Sequence, residues 1–88
     1  MHKEEAGYLF NILGNPDRVK IVKMLYHNVS LTNEQIIERM NLDFNVIEEH
    51  LKTLINANLI QNKDYCYFCN KELIDTLMSF ITTRCKCC

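Results

Sequence analysis

Apolar positions recur at helical spacing through the first half of the chain, and polar residues suited to caps punctuate them. Ala6, Leu9, Phe10 and Leu13 stand three and four apart, which predicts a helix over residues 3–13 that Gly14 ends. Asn15 then offers a side-chain cap, Pro16 fits the first helical position, and Asp17 suits the positive end of the helix dipole. The second helix this predicts turns Val19, Val22, Leu25 and Tyr26 toward the core. The pattern breaks near Asn28. Thr32 followed three residues later by Gln35 reads as a capping box that opens a short third helix running to Met40, with Ile36, Ile37 and Met40 as its buried face. Asn41 supplies a stop, and Asp43 caps a fourth helix with Val46, Ile47, Leu51, Leu54 and Ile55 on one side. Two short helices joined by a tight polar turn form a helix-turn-helix candidate.

After Asn58 the period changes. Leu59–Gln61 and Tyr65–Phe68 read as two strands around Asn62-Lys63-Asp64, a small β-hairpin in which Tyr65, Tyr67 and Phe68 read as packing residues in preference to a surface that stacks on a nucleobase. From Lys71 onward Leu73, Ile74, Leu77, Met78, Phe80 and Ile81 return to helical spacing but cover more than one narrow face. A helix of that kind needs two neighbours, and in a short chain one of them is a second copy of itself. The fold class is therefore mostly α with a small β-hairpin wing, a winged helix-turn-helix. No repeat, linker or low-complexity tract divides the chain, so residues 1–88 read as a single domain with a cysteine-rich C-terminal end.

Composition sharpens this outline. At 88 residues and 48% hydrophobic, the chain buries only about 60 to 65% of its unfolded surface, which leaves a marginal core that a partner or a metal would support. Ten basic against eleven acidic residues give a net charge of −1, a poor electrostatic footprint for gripping phosphates. No apolar run approaches the roughly 18 residues of a membrane span, and the start MHKEEAGYLF lacks the apolar stretch of a signal peptide. A cytoplasmic protein without membrane contact is expected. Nothing assembles a nucleophile, a base and an orienting group, so neither an enzyme nor a small organic substrate is expected. His2, His27 and His50 are scattered, and His50, inside an amphipathic helix, reads as a packed residue.

The unusual chemistry is in the cysteines. All five, Cys66, Cys69, Cys85, Cys87 and Cys88, lie in the last 23 residues. An odd count without a secretion signal argues against a disulfide framework and for metal ligation or reactive thiols. Cys66-x-x-Cys69, fifteen intervening residues and Cys85-x-x-Cys88 match the spacing of a four-thiolate zinc site, with Cys87 as a spare. Residues 71–84 look helical, however, and a helix of that length separates the pairs by about 21 Å. The site would then close between two chains whose last helices pack antiparallel, Cys66 and Cys69 of one meeting Cys85, Cys87 and Cys88 of the other. Two equivalent sites per dimer follow. Thiolates suit zinc, cadmium, lead, arsenite or copper(I). Cys69 and Cys85 are the foremost ligands, and Cys66, on a strand, could point inward instead. The competing reading is oxidation, since vicinal Cys87 and Cys88 sit beside Arg84 and Lys86.

Two stretches carry a family likeness. LGNPDRVKIVKML resembles the Leu-x-x-Pro-x-Arg-x-x-Ile-x-x-x-Leu opening of the ArsR/SmtB repressors, and EEHLKTLINANLI resembles their His-Leu-x-x-Leu-x-x-x-Gly-Leu-Val segment. Together they cover residues 12–60, with Pro16, Arg18, His50, Leu51, Leu54, Leu59 and Ile60 in order at matching separations. The resemblance implies a homodimer built from the first and last helices. It also implies binding to double-stranded operator DNA through the fourth helix and the wing, and release by an inducer, commonly a thiophilic metal. Asp43 to Leu54 would be the recognition helix, with Thr32, Asn33, Asp43, Phe44, Asn45, Glu49, Lys52 and the wing residue Lys63 as the DNA-facing set and Asn45 as the base contact. Two departures stand out. No Cys-x-Cys occupies Leu31 to Ile36, and the reading head presents Phe44, Asn45, Glu48 and Glu49 where small polar or basic residues are usual. Three readings therefore stay open: a repressor released by a thiophilic metal or arsenite at the cysteines, a thiol redox-sensing repressor, and a winged-helix protein-interaction module that no longer binds DNA.

Overall fold

A computed structural model of the chain describes the backbone of residues 2–85 and the side chains of residues 2–79. Among the described residues, five helices and three short strands follow in the order α1 (Lys3–Ile12), α2 (Pro16–His27), β1 (Leu31–Thr32), α3 (Asn33–Met40), α4 (Phe44–Asn56), β2 (Ile60–Lys63), β3 (Cys66–Cys69) and α5 (Lys71–Cys85). The helix signals act where the sequence places them. Asn15 accepts from the backbone N–H groups of Asp17 and Arg18 at 2.9 and 3.3 Å, ahead of Pro16 at the first helical position. The capping box at α3 closes in both directions, Gln35 N–H donating to Thr32 Oγ1 at 3.2 Å and Thr32 N–H to Gln35 Oε1 at 2.9 Å. Asn41 ends α3 in the left-handed region, at φ 57°. Asp43 does stand at the cap position of α4, but its side chain makes no capping hydrogen bond, so the carboxylate remains exposed.

The end of α4 uses a second asparagine. Asn58 adopts φ 62°; its N–H donates to Ile55 O and that of Leu59 to Leu54 O, at 2.9 and 3.0 Å. This paired closure is a Schellman motif, whose left-handed residue is usually glycine. Asn58 occupies the glycine position of the segment that residues 48–60 resemble, and asparagine is the side chain that tolerates this conformation best. The closure reverses the chain and delivers Leu59 and Ile60, both fully buried, to the start of the hairpin.

The three strands form an antiparallel sheet of order β1-β3-β2. The sequence pattern predicts only the hairpin. β1 escapes it because two residues, Leu31 and Thr32, are too few to show alternation, and their pairing with Tyr67 and Cys66 is a tertiary event. The hairpin turn is also displaced from its expected position at Asn62-Lys63-Asp64. Lys63 pairs with Cys66 across a two-residue turn, Asp64-Tyr65, with φ 55° and 65°. Positive φ at both positions is the type I′ geometry, which matches the twist of the flanking strands.

One hydrophobic core unites these elements: Leu9 from α1, Ile21 and Leu25 from α2, Ile36 from α3, Ile47, Leu51 and Leu54 from α4, Leu59 and Ile60 before and in β2, and Leu77 from α5. Ile21 is fully buried where the pattern favoured Val19, which is only half-buried. Val46 is 40% exposed rather than part of the core stripe of α4. The arrangement is the expected winged helix-turn-helix.

Tyr65 is a bulky residue in a conformation that costs L-amino acids other than glycine and asparagine about 1–2 kcal/mol, and it is 92% exposed, so packing returns nothing. Tyr65→Gly should therefore raise the unfolding free energy by about 1 kcal/mol in urea denaturation; an unchanged or lower midpoint would mean the turn is not type I′.

Candidate nucleic-acid interface

The orientation of α4 follows from its buried stripe. Ile47, His50, Leu51 and Leu54 face inward, and His50, 8% exposed, is the buried polar side chain among the described residues. Its Nδ1 accepts from Arg18 Nε at 3.3 Å, while Arg18 Nη1 donates to Ile12 O at 3.2 Å. Because Nδ1 accepts, a neutral ring carries its proton on Nε2, and Nε2 lies 3.9 Å from Asp17 Oδ2. One side chain of α2 thus ties α4 to the end of α1. His50 is packed, as the sequence pattern indicates.

Opposite that stripe, at 100° per residue, Asn45, Glu49, Lys52 and Asn56 fall within about 60° of one another and form a ridge about 16 Å long. All four are exposed. Asn56 has no motif to mark it in the sequence; only the helical phase, fixed by the buried residues, places it on this ridge. Phe44, 52% exposed, lies to one flank. Glu48 is on that flank too, half-buried, with its Oε1 accepting from Asn33 Nδ2 at 3.4 Å. Asn33 Oδ1 is buried with no hydrogen-bond partner. The two adjacent glutamates therefore differ in kind: Glu48 is held by the start of α3, and Glu49 faces outward.

The wing stands beside this head. Thr32, Asn33 and Glu34 at the start of α3 line a cleft of about 420 Å³ together with Asn62, Tyr65 and Tyr67. Tyr67 is buried against the core, as expected, and burial pushes its hydroxyl pKa up, with the negative charge of Glu48 adding to the effect. Tyr65 is not the packing residue its strand-like sequence suggests; it projects from the wing tip next to exposed Lys63 and Asp64. From Leu31 to Cys69 three basic residues, Arg39, Lys52 and Lys63, meet six acidic ones, Glu34, Glu38, Asp43, Glu48, Glu49 and Asp64. The head as a whole is acidic.

The expected thiol pair is not brought together. Cys66 and Cys69 lie at the two ends of β3, and residues an odd number apart on a strand point to opposite faces. Tyr67 and Cys69 share the face turned to the core, against which Cys69 packs, whereas Cys66 lies across from Lys63 and Thr32 on the other. The inward thiol is Cys69, reversing the expectation for Cys66. Burial pushes the Cys69 thiol up; Lys71 opposes the shift and Asp75 adds to it. Three strand steps set the two Cα atoms about 10 Å apart, beyond disulfide reach, and the pair does not fit one thiolate chelate. Among the described residues no group of three or more His, Cys, Asp or Glu side chains could hold a metal ion. The Cys85 side chain and all of Cys87 and Cys88 lie outside the described residues.

Comparisons with known proteins agree with this architecture. Residues 15–62 match the family described as bacterial regulatory protein, arsR family. No curated protein sequence matches the chain significantly. Among solved structures, the ArsR family transcriptional regulator RHA00566 superposes with a TM-score of 0.77 at 13% identity, over 98% of this chain and 92% of that one. Reduced HlyU from Vibrio cholerae superposes with a TM-score of 0.69 at 20% identity, over 97% and 92%. No described helix is long and apolar enough to cross a membrane.

Two consequences for the thiols are measurable. Alkylation at neutral pH followed by peptide mass spectrometry should label Cys66 before Cys69. Mild oxidation should yield no Cys66–Cys69 disulfide, and that disulfide as a dominant product would contradict the strand assignment.

Proposed function

We propose that this chain, which belongs to the arsR family of bacterial regulatory proteins, is a cytoplasmic transcriptional repressor that binds double-stranded operator DNA as a homodimer. The observation that carries this reading is the outward ridge Asn45, Glu49, Lys52 and Asn56 on α4, set beside an exposed wing tip. An α-helix fits the major groove of DNA, and the second helix of a helix-turn-helix is the element that enters it. At the wing tip, Tyr65 keeps a strained backbone and an exposed ring together, a combination that costs stability and that a contact made only in the complex would explain. Dimerisation through α1 and α5 is supported by their exposed Tyr8 and Met78 and by apolar residues on more than one side of α5.

The acidic head sets how the complex behaves. Each neutralised phosphate contributes about −0.9 to the slope of log affinity against log salt. With Lys52 and Lys63 as the cations of each head, a dimer gives a slope of about −4, shallower than that of binders making 6 to 10 phosphate contacts. Non-specific binding is correspondingly weak, and affinity leans on base and shape contacts.

The effector belongs at Cys85, Cys87 and Cys88, three thiols within four residues and beside Arg84 and Lys86. Such a donor set suits zinc, cadmium, lead or arsenite. Because Cys66 and Cys69 diverge on β3, they are left out of it. An effector that favours one relative orientation of the two heads lowers DNA affinity by a coupling free energy of typically about 1–3 kcal/mol.

Fluorescence anisotropy of the reduced protein on the duplex upstream of its own gene tests this, at several salt concentrations, with chelator and then with zinc or cadmium. Binding with a slope near −4 that metal weakens is expected. No binding even at low salt would favour the protein-interaction module. The triple variant Cys85→Ser, Cys87→Ser, Cys88→Ser should bind DNA normally and lose the metal response. Loss of DNA binding along with it would mark those thiols as structural.

A further inference from the structure

We infer that Glu49 selects the operator sequence by requiring a cytosine in the major groove opposite the middle of α4; this rests on the reading that α4 enters that groove. Glu49 lies near the centre of the exposed ridge, with Asn45 one turn before it and Lys52 nearly one turn after. Its carboxylate is exposed and takes no ion pair among the described residues, while its backbone carbonyl accepts from Thr53 Oγ1 at 3.0 Å. Glu48, by contrast, is turned aside to Asn33. The two acidic residues that count together against DNA in the sequence are therefore not equivalent: one is held against the protein, and the other is presented.

An ionised carboxylate only accepts hydrogen bonds. In the major groove guanine offers two acceptors, thymine an acceptor and a methyl group, and adenine a donor beside an acceptor; cytosine offers its amino donor. Facing guanine or thymine, Glu49 would lose its hydration and gain no partner. Facing adenine, one oxygen would meet the N6 amino group and the other the N7 lone pair, which suits an amide and not a carboxylate. Of the four bases, cytosine alone presents a major-groove donor with no acceptor on its own edge. Lys52, three residues on along the same ridge, adds a positive charge that offsets part of the repulsion between the carboxylate and the phosphates. Glu49 discriminates largely by exclusion, since wrong bases leave a buried charge unpaired.

Selection from a randomised duplex library with the full-length reduced protein, Glu49→Gln and Glu49→Ala tests the assignment. All three should give the same folded circular dichroism spectrum, because the position is exposed. The wild-type motif should contain a fixed cytosine in each half-site that becomes adenine with Glu49→Gln and loses preference with Glu49→Ala, the other positions being unchanged. Replacing that cytosine by thymine should weaken wild-type binding roughly 5- to 100-fold and leave Glu49→Ala binding nearly unaffected. A wild-type motif that both variants reproduce unchanged would overturn the assignment while leaving DNA binding in place. Absence of any enriched motif or duplex binding by the wild type would overturn the DNA-binding reading beneath it.

Discussion

The rotation of α4 about its own axis is the constraint on which the rest of the molecule depends. Ile47, Leu51 and Leu54 are fully or almost fully buried, so turning the helix by a single residue, about 100°, would expose one of them and bury a charge. His50 adds direction to what packing alone leaves loose. Hydrogen bonding to Arg18, which also holds the carbonyl of Ile12, links α4 to α2 and α1. The Schellman closure at Asn58 then fixes where the chain leaves α4, and so where the wing stands relative to it. The outward ridge and the wing tip are thus both set by groups that belong to neither.

Charge limits how firmly the head can hold a polyanion. Most of the attraction between protein and DNA comes from cations placed against phosphates, and this head carries more carboxylates than cations. Tying Glu48 to Asn33 lowers the cost of one carboxylate. The exposed side chains of the ridge, its flank and the wing tip, among them Phe44, Asn45, Glu49, Lys52, Asn56, Lys63 and Tyr65, are mixed in chemistry, which suits discrimination better than strong general adhesion. On the proposed DNA-binding reading, weak non-specific binding would leave more of the protein free for a specific site among competing DNA.

Much of the fold was legible because its punctuation is local. Asn15, Thr32 with Gln35, and Asn41 act on residues within four positions of themselves, and the amphipathic stripes of α3 and α4 report burial directly. Three features were not legible, for distinct physical reasons. β1 exists only through pairing with β3. Tyr65 has the side chain of a strand residue but occupies a left-handed turn position, which a propensity argument cannot anticipate. Spacing of cysteines reports a shared site only if the backbone between them turns; on the extended β3 the same spacing sends the thiols to opposite faces. Within the candidate interface, Asn45, Glu49 and Lys52 could be picked out by residue type, whereas Asn56 and the difference between Glu48 and Glu49 required knowing which way α4 faces and what α3 places beside it.

The two strand thiols are divided between faces of β3, Cys69 packed against the core and Cys66 on the other face, so the proposed sensing and reading elements would be separate along the chain. What joins the account is the proposal that DNA meets the protein along one face of α4 and at the wing tip. Amide chemical-shift mapping of isotope-labelled protein on titration with its upstream duplex tests this most directly. Perturbations should concentrate at residues 44–56 and 63–65 and spare the core-facing residues of α2 and the body of α5. Shifts confined to α1 and α5, or none at all, would contradict it.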